Sequence, residues 1–498
     1  MKILFWIDLF TLPFGIAHYI QKKIDCELFA IIDTFDNAKP FFVEQKLTNF
    51  SKTWFYGNKK FQNSSKIDLN FLSITESKYQ LEFWSDLIND RYFNEFNRFH
   101  KFSSNEILSI LNNDVVFFDK ILDEVKPDFI FMIQPPMRSN NLFLEMCKSR
   151  GIKRIILNPS IIGKECFFSQ DVNKIDTKIL NKNIFLKNLT FTQLLDSIKQ
   201  KSLSLQIRNY SKKMESNSIE KFHAFLDYMS SSNDVIKNDY RYFGRNKMRV
   251  LLDELFWRTK TKIRKQFIDK NLLKMIPNFP NLVYYPLHVE PDRNILLGAP
   301  FFTNQIENIR QIAKSIPINF KLIVKEHPAQ SKTWRKSSYY KEIMKIPNVY
   351  LIHPDVPNNE IFEKINLVIT AAGSSGFEIL FYGKPSIVFS DTLYDEINYV
   401  YKNSDMSKLR NVIQDALKIN PDPIDLEKFL NKLNLVSFEL DFFEFFIIQA
   451  KYFFHGANFQ NTSISEEKMK NFLLQEKEIF DNCSNECIKF INQISNED

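Results

Sequence analysis

The sequence is poor in glycine, has no paired cysteine motif and contains no long uncharged apolar stretch. Only 10 of its 498 residues are glycine, so the position of each one is informative. The five cysteines are scattered, and no Cys-x-x-Cys or Cys/His spacing occurs. We therefore expect reduced thiols and no structural metal. No window of about 18 uncharged apolar residues is present, so no transmembrane helix is predicted.

Two apolar segments could be mistaken for membrane or targeting sequences. The first, MKILFWIDLFTLPFGIA, is interrupted by Asp8, has one preceding lysine and lacks a small-residue cleavage site. It predicts a buried first strand, and with it a cytoplasmic protein. The second, Phe438–Phe454, contains two acids and a lysine. A packing helix is favoured there, with a membrane-surface helix as the alternative.

The charge balance is mildly basic, with 66 basic and 59 acidic residues and a net charge of +7. This balance suits anionic partners such as sugar nucleotides or an anionic membrane face. It is too weak and dispersed to indicate nucleic acid, and no nucleic-acid motif is present. The densest basic cluster is Lys260–Lys270, for which a solvated helix face is favoured over an anion-binding or membrane patch.

The length and the hydrophobic pattern predict two α/β domains with added helices. Short apolar runs alternate with amphipathic stretches over the first 160 residues, which is typical of a doubly wound parallel sheet. The predicted strands there are Lys2–Ile7, Leu28–Ile32, Phe129–Ile133 and Arg154–Leu157. From about 172 to 275 the pattern becomes helical and predicts an insertion in this domain.

A second series of strands follows the helix-breaking segment 277–280, where we place a domain boundary. The predicted strands are Val283–Leu287, Phe320–Val324, Val349–Ile352, Leu367–Thr370 and Ser386–Phe389. The prediction is thus an N-terminal domain at 1–275, a second α/β domain at 276–415 and a helical segment at 416–498.

Three motifs in the second half each follow a predicted buried strand. Ligands of open α/β sheets bind at the carboxyl ends of strands, so these motifs predict one ligand site. The candidate binding residues are His288 and Glu290; Lys325, His327 and Pro328; and Gly373, Ser374, Ser375, Gly376 and Glu378.

The third motif is the most informative. Gly373 and Gly376 permit close backbone approach, and Ser374 and Ser375 would present hydroxyls and amides to a phosphate at a helix N-terminus. Glu378 could accept hydrogen bonds from a ribose, or it could form a capping box with Ser375.

Each remaining residue also has a plain structural interpretation. His327 could be a half-buried, satisfied histidine, and Lys325 could form an ordinary ion pair with Glu326. His288 and Glu290, two apart on an extended segment, point the same way and could bind a ligand or pair with neighbours.

Four residues of the first half are candidates for catalysis: Asp8, His18, Glu165 and Asp171. A carboxylate or histidine would serve as base or nucleophile in sugar transfer. A structural role is the alternative for each of them. Gly15, which opens the next helix after Asp8, would leave room for a sugar or an acceptor.

The ordered series YYPLHVEP, FKLIVKEHP, NVYLI and GSSGFEILFYGKPSIVF resembles the capsule polysaccharide biosynthesis family, which includes the Kdo-transferring enzymes of capsule and lipopolysaccharide export. The resemblance covers about residues 282–395, with weaker support at 127–163. It implies a GT-B-type fold, in which two Rossmann-like domains face a cleft, and a glycosyltransferase that needs no bound metal or other cofactor.

The resemblance also implies roles for residues. His327 and Pro328 match the family's His-Pro motif at the phosphate, and Ser374, Ser375 and Glu378 match its Ser-Ser-x-x-Glu element at phosphate and ribose. The donor would be a CMP-sugar such as CMP-Kdo. The acceptor, a glycan or lipid-linked glycan, would lie against the N-terminal half, with peripheral attachment to the inner membrane face.

One departure from related enzymes leaves the reaction course open. Thr370 stands eight residues before Glu378, where many retaining GT-B enzymes carry a second glutamate. The alternatives are a CDP-alcohol phosphotransferase or a sugar-nucleotide epimerase on the same scaffold, and a non-catalytic export or assembly component.

Overall fold

The computed structural model describes residues 1–8, 11–34, 36–57, 67–93, 97–176, 185–199, 226, 229, 239–332, 335–454 and 463–496. The chain forms two compact units that are interleaved in sequence. The first comprises Met1–Ile179, Leu203–Arg249 and Val436–Asp498, and the second Leu180–Ser202 and Val250–Leu435. The segment predicted as separate from residue 416 is therefore divided, because its last helices pack into the first unit.

The strands and helices follow one another in α/β order. The described strands are β1 (Lys2–Ile7), β2 (Glu27–Ile32), β3 (Phe50–Phe55), β4 (Phe129–Ile133), β5 (Lys153–Pro159), β6 (Glu165–Ser169), β7 (Leu282–Pro286), β8 (Lys321–Lys325), β9 (Val349–Ile352), β10 (Leu367–Thr370), β11 (Ser386–Val388), β12 (Val400–Lys402) and β13 (Ser437–Glu439). The described α-helices are α1 (Thr11–Ile20), α2 (Lys39–Glu44), α3 (Leu69–Tyr79), α4 (Phe83–Ile88), α5 (Ser104–Val125), α6 (Arg138–Ser149), α7 (Phe191–Ile198), α8 (Lys247–Asn271), α9 (Arg293–Leu296), α10 (Gln305–Ser315), α11 (Ser337–Met344), α12 (Asn358–Lys364), α13 (Ser375–Glu378), α14 (Leu409–Ala416), α15 (Pro423–Val436), α16 (Phe442–Phe454), α17 (Glu466–Gln475) and α18 (Lys477–Ser495).

The first unit is built on a seven-stranded sheet in the order β13-β6-β5-β4-β1-β2-β3. Strands β1 to β5 are parallel, and β6 and β13 run antiparallel to their neighbours. Successive side chains of β1 enter different cores: Ile3 and Phe5 pack with α1 and the C-terminal helices, whereas Leu4 and Trp6 pack with α5 and α6. Burial on both faces explains why this strand is a continuous apolar run.

The C-terminal helices close one face of this sheet. Helix α16 buries Phe445 and Phe453 in the same core as α1, in agreement with the packing helix predicted for its sequence. A Cβ on Gly15 would lie 2.2 Å from the Phe480 ring of α18. Gly15 therefore allows two helices to approach closely, which corrects the expectation that it leaves room for a sugar.

The second unit contains a six-stranded sheet in the order β12-β11-β10-β7-β8-β9. All neighbouring pairs are parallel. In order of appearance this is 6-5-4-1-2-3, the Rossmann arrangement, whose topological switch point lies between the first and fourth strands. The predicted α/β fold with two Rossmann-like sheets is thus confirmed, and the switch point of the second sheet lies between β7 and β10.

The helical insertion predicted at 172–275 lies partly outside the described residues. Its described part contains α7 and the 25-residue α8. Among the residues that the structure describes, none of the helices is both long enough and apolar enough to cross a membrane.

Candidate functional site

The three sequence motifs lie at one edge of the second sheet. Strands β10, β7 and β8 are adjacent and parallel, so the residues that follow them emerge at the same side. The sequence predicts this convergence because each motif directly follows a predicted buried strand. Two of the three loops flank the switch point, which is where open α/β sheets bind ligands.

The loops after β7 and β10 are in direct contact. The Nε2 atom of His288 lies 3.0 Å from the Thr370 hydroxyl oxygen, which in turn accepts the Gly373 amide hydrogen at 3.1 Å. A Cβ on Gly373 would lie 2.8 Å from the Thr370 Oγ1 atom and 3.0 Å from a carbon of the His288 ring. Gly373 therefore lets its loop pack directly on His288. No sequence motif indicates this supporting role of Thr370.

His288 is a neutral, buried support for this loop. Burial is the main cause that lowers its pKa to about 3, and the nearby His327 and Arg335 act in the same direction. Its backbone is fixed as well, since its amide donates to the Gln305 side chain at 2.7 Å. We infer that His288 holds the Thr370–Gly373 turn in place and carries no positive charge at neutral pH.

Unfolding at mildly acidic pH should report on this buried ring. Between about pH 3 and 6.5 the unfolded chain binds a proton at His288 that the folded chain does not, so the free energy of unfolding falls as the pH drops. From pH 6.5 to 5 this residue should contribute a loss of about 1.6 kcal/mol. In urea unfolding, the free energy of unfolding of His288→Asn should fall less between pH 6.5 and 5 than that of the unaltered protein, by that amount. An equal fall in both proteins would contradict the burial of the ring.

The turn after β10 continues into a very short helix. Helix α13 has four residues, is followed by a 3-10 turn at Ile379–Tyr382, and ends at Gly383 with φ +64°. Residues 375–382 therefore do not form one continuous α-helix. The expected Ser375–Glu378 capping box is wrong, because Ser374 is the N-cap residue and its hydroxyl donates to the Glu378 carboxylate at 3.2 Å.

Gly376 is buried and packs against neighbouring side chains. A Cβ there would lie 2.5 Å from the Tyr394 hydroxyl oxygen and 3.0 Å from the Thr370 methyl carbon. The Tyr394 hydroxyl donates to the Gly373 carbonyl oxygen at 2.6 Å, so it fixes the turn in addition to His288. Both glycines thus serve tight packing of the turn, and the side chains of Ser374 and Glu378 are its half-buried polar groups.

A buried ion cluster centred on Arg335 supports the loops after β7 and β8. Its guanidinium donates to the carboxylate of the fully buried Glu326, to Glu290 at 3.3 Å and to the His288 carbonyl oxygen. Tyr340 donates its hydroxyl to Glu326 at 2.6 Å. Glu290 also accepts a hydrogen bond from Gln305. Glu290 is therefore held by Arg335 and Gln305 within the protein. No sequence motif indicates that Arg335 takes part in this cluster.

Lys325 is turned toward the neighbouring strand end. It is buried, and its ammonium group donates to the Val356 carbonyl oxygen and to the Asn358 side chain at 2.6 Å. It therefore ties the end of β8 to the start of α12, in place of the ion pair with Glu326 that was the alternative.

His327 is half-buried beside Glu326, and its ring geometry defines a donor. The Nδ1 atom accepts the Ala329 amide hydrogen at 3.1 Å, so in the neutral ring the hydrogen is carried by Nε2. Burial is the main cause that lowers the pKa of His327. Pro328 begins the 3-10 turn Pro328–Lys332.

The four catalytic candidates of the first unit divide between opposite edges of its sheet. Asp8 follows β1 at the carboxyl edge, and Glu165 begins the antiparallel β6 at that same edge. Three strand spacings separate β1 from β6, which is about 14 Å. His18 and Asp171 lie at the amino edge, so the structure does not bring the four residues together.

His18 and Asp171 have structural partners there. His18 is in the last turn of α1, and its Nδ1 atom lies 2.7 Å from the Leu47 carbonyl oxygen just before β3. Burial is the main cause that lowers its pKa. Asp171 pairs with Arg154 near the start of β5 and with Lys148, both at 3.5 Å. These contacts agree with the structural role that is the alternative for both residues.

A buried polar cluster near the switch point of the first sheet is not indicated by any sequence motif. Arg138, the first residue of α6, donates to Asp90 and Asp114 at 2.7 Å each, and Tyr56 donates to Asp114 at 3.1 Å. Burial raises the pKa of the neighbouring Asp86 to about 6. In the described chain, no group of three or more His, Cys, Asp or Glu side chains is placed to hold a metal ion.

Comparison with solved structures finds similar proteins of several activities. One is UDP-GlcNAc 2-epimerase from Methanocaldococcus jannaschii, at 13% identity over 88% of this chain and 98% of that chain, with a TM-score of 0.25. Another is Thermosulfurimonas dismutans KpsC, a beta Kdo 2,7 transferase. It has 13% identity over 64% of this chain and 88% of that chain, with a TM-score of 0.28. The N-terminal domain of Candida albicans trehalose-6-phosphate phosphatase has 13% identity over 92% of this chain and 97% of that chain, with a TM-score of 0.29. Such scores bear on neither activity nor substrate.

Comparison with known sequences gives one family. No curated protein matches the chain. Residues 201–408 match the sequence model of the family described as "Capsule polysaccharide biosynthesis protein". This segment holds all three strand-end motifs, so the resemblance found in the sequence is confirmed. Over residues 201–408 the chain is therefore similar to the capsule polysaccharide biosynthesis family.

Proposed function

We propose that the protein is a glycosyltransferase of surface polysaccharide synthesis, and that the carboxyl edge of β10, β7 and β8 binds its nucleotide-activated sugar. The observation that carries this proposal is the contact between His288 and Thr370 across the switch point. It fixes a tight turn, with Gly373 at its centre, where Rossmann-type sheets hold nucleotides. The family match over 201–408 supports the same conclusion.

The phosphate would be bound by polar hydrogens around this turn. The amides of Ser374 and Ser375 precede the hydrogen-bonded turn of α13. The His327 Nε2–H group, at the end of the adjacent β8, would donate to a second phosphate oxygen. These preorganised donors would stabilise the negative charge that develops on the departing phosphate.

Glu378 would accept hydrogen bonds from the ribose, and the family resemblance favours a CMP-sugar such as CMP-Kdo. His288, Glu290 and Lys325 would support the loops, because their side chains bond within the protein. For the transfer step, Asp8 and Glu165 are the acid–base candidates at the carboxyl edge of the first sheet. We place the reaction in the cytoplasm, with a glycan or lipid-linked glycan as the acceptor.

Nucleotide binding tests the site. A nucleotide present at 100 times its dissociation constant should add about 2.7 kcal/mol of stability, which a thermal-shift screen against CMP, CDP and UDP would detect. We expect CMP to bind most tightly, and His327→Ala and Glu378→Ala each to abolish the shift. His353→Ala is the matched control, because His353 also precedes a proline after a strand but bonds to Asp269. Normal CMP binding by both site variants would show that the site is misplaced.

The reaction class follows from separate incubations with CMP-Kdo, CDP-glycerol and UDP-GlcNAc. Release of CMP from CMP-Kdo alone would support the sugar transfer proposed. CMP release from CDP-glycerol would indicate the phosphotransferase, and epimerised UDP-GlcNAc the epimerase. Nucleotide binding without turnover of any donor would point to a non-catalytic component.

A further inference from the structure

Helix α8 exposes a stripe of large apolar side chains. Met248, Leu252, Leu255, Phe256 and Ile263 are each 51–65% exposed. They recur at i, i+4, i+7, i+8 and i+15, which places all five within about 100° of one helix face. The opposite face of α8 packs inward and includes its one fully buried residue, Ile268. Soluble proteins rarely expose so many large apolar groups side by side, and such patches mark interaction surfaces.

Basic side chains border this stripe on both sides. Helix α8 has eight basic and three acidic residues, so it carries +5 of the chain's net +7. By helical geometry Arg249 and Lys260 flank one border of the stripe, and Arg258 and Lys262 flank the other. All four are exposed. Two of the acidic residues are neutralised within the helix by ion pairs, Glu254 with Arg258 and Asp269 with Lys265.

We propose that α8 lies on the surface of an anionic membrane. An apolar stripe between two rows of cations is the arrangement by which interfacial helices enter the headgroup boundary of acidic lipids. A second copy of the chain fits less well, because pairing two such stripes would bring together two helices that each carry a net charge of +5 and repel each other. Nucleic acid would match the charge but would leave the apolar stripe in water. The sequence alone favours a solvated face for the basic cluster, because it does not show which apolar residues are exposed.

Vesicle binding by the full chain tests this proposal. We expect co-sedimentation with vesicles of phosphatidylcholine and phosphatidylglycerol, and much weaker binding to phosphatidylcholine alone. Leu255→Gln/Phe256→Gln should reduce the partition coefficient at least tenfold, because both side chains enter the apolar layer. Lys260→Gln/Lys262→Gln should reduce it about thirtyfold at low salt, since each cation near an acidic surface contributes about a factor of five.

Matched controls separate this surface from general effects. Ile318→Gln removes an apolar side chain that is 98% exposed elsewhere in the same unit, and Lys314→Gln/Lys418→Gln removes two exposed charges. Both controls should bind vesicles like the unaltered protein. Nucleotide binding in solution should be the same in every variant. A result that contradicts the membrane proposal is therefore distinguishable from one that contradicts the proposed nucleotide-sugar site.

Three outcomes would overturn the proposal. Equal binding to both vesicle types would show that the cations of α8 do not attract acidic lipids. Equal binding by the α8 variants and the controls would show that another part of the protein binds the vesicles. Absence of vesicle binding, with self-association that Leu255→Gln/Phe256→Gln abolishes, would assign the stripe to a second copy of the chain.

Discussion

Replacing Arg335 by methionine should lower the free energy of unfolding by about 3–5 kcal/mol, the usual effect of breaking a buried ion pair. Arg335 is the cation beside the fully buried Glu326, and it also binds Glu290 and the His288 carbonyl oxygen. Methionine fills most of the space but leaves the Glu326 carboxylate buried without a countercharge. Urea unfolding measures the loss.

Arg310→Met is the matched control for this prediction. Arg310 pairs with Glu307 and Glu342 on the surface of the same unit, where solvent screens an ion pair and its loss has little effect on stability. The double variant Arg335→Met/Glu326→Gln should recover part of the loss, because it removes the buried charge as well. A loss equal to that of Arg310→Met would show that the Arg335 cluster does not stabilise the site.

Replacing Gly373 by alanine should weaken nucleotide binding by about ten- to a hundredfold. The new methyl group would lie 2.8 Å from Thr370 Oγ1 and 3.0 Å from the His288 ring, so the turn must move away from its support. Overpacking of this kind costs about 1–3 kcal/mol, and each 1.4 kcal/mol lost from binding is a factor of ten. Isothermal titration with CMP measures the change.

Gly15→Ala separates the effect on the site from the effect of a crowded glycine. Its methyl group would meet the Phe480 ring at 2.2 Å in the first unit, far along the chain from the nucleotide motifs. This variant should lose stability but bind CMP with unchanged affinity while folded. If Gly373→Ala binds CMP as tightly as Gly15→Ala does, the turn after β10 does not contact the nucleotide.

Much of the fold could be predicted because buried parallel strands are continuous apolar runs. Strands β1, β4, β9 and β10 agree with the prediction residue for residue. Strand β3 was missed because its burial is incomplete and its sequence, FSKTWF, mixes polar and apolar residues. The three-residue β12 and β13 are too short to form a pattern, and β13 joins the first sheet through pairing with β6, far away in sequence.

The site was predictable only where it follows strand ends. His288, His327 and Gly373 reach the same edge because strand order fixes where each loop emerges. Arg335 was not predictable, because its partners lie 9 to 47 residues away and no local pattern records such contacts. For the same reason the sequence could not show that His18 and Asp171 lie at the amino edge of the first sheet.

Hydrogen–deuterium exchange of the full chain with and without CMP tests the central claim most directly. If the nucleotide binds at the carboxyl edge of β10, β7 and β8, amides at 288–291, 325–328 and 371–378 should all exchange more slowly in its presence. Binding of CMP that leaves these three loops unprotected and slows exchange elsewhere would contradict the proposed donor site.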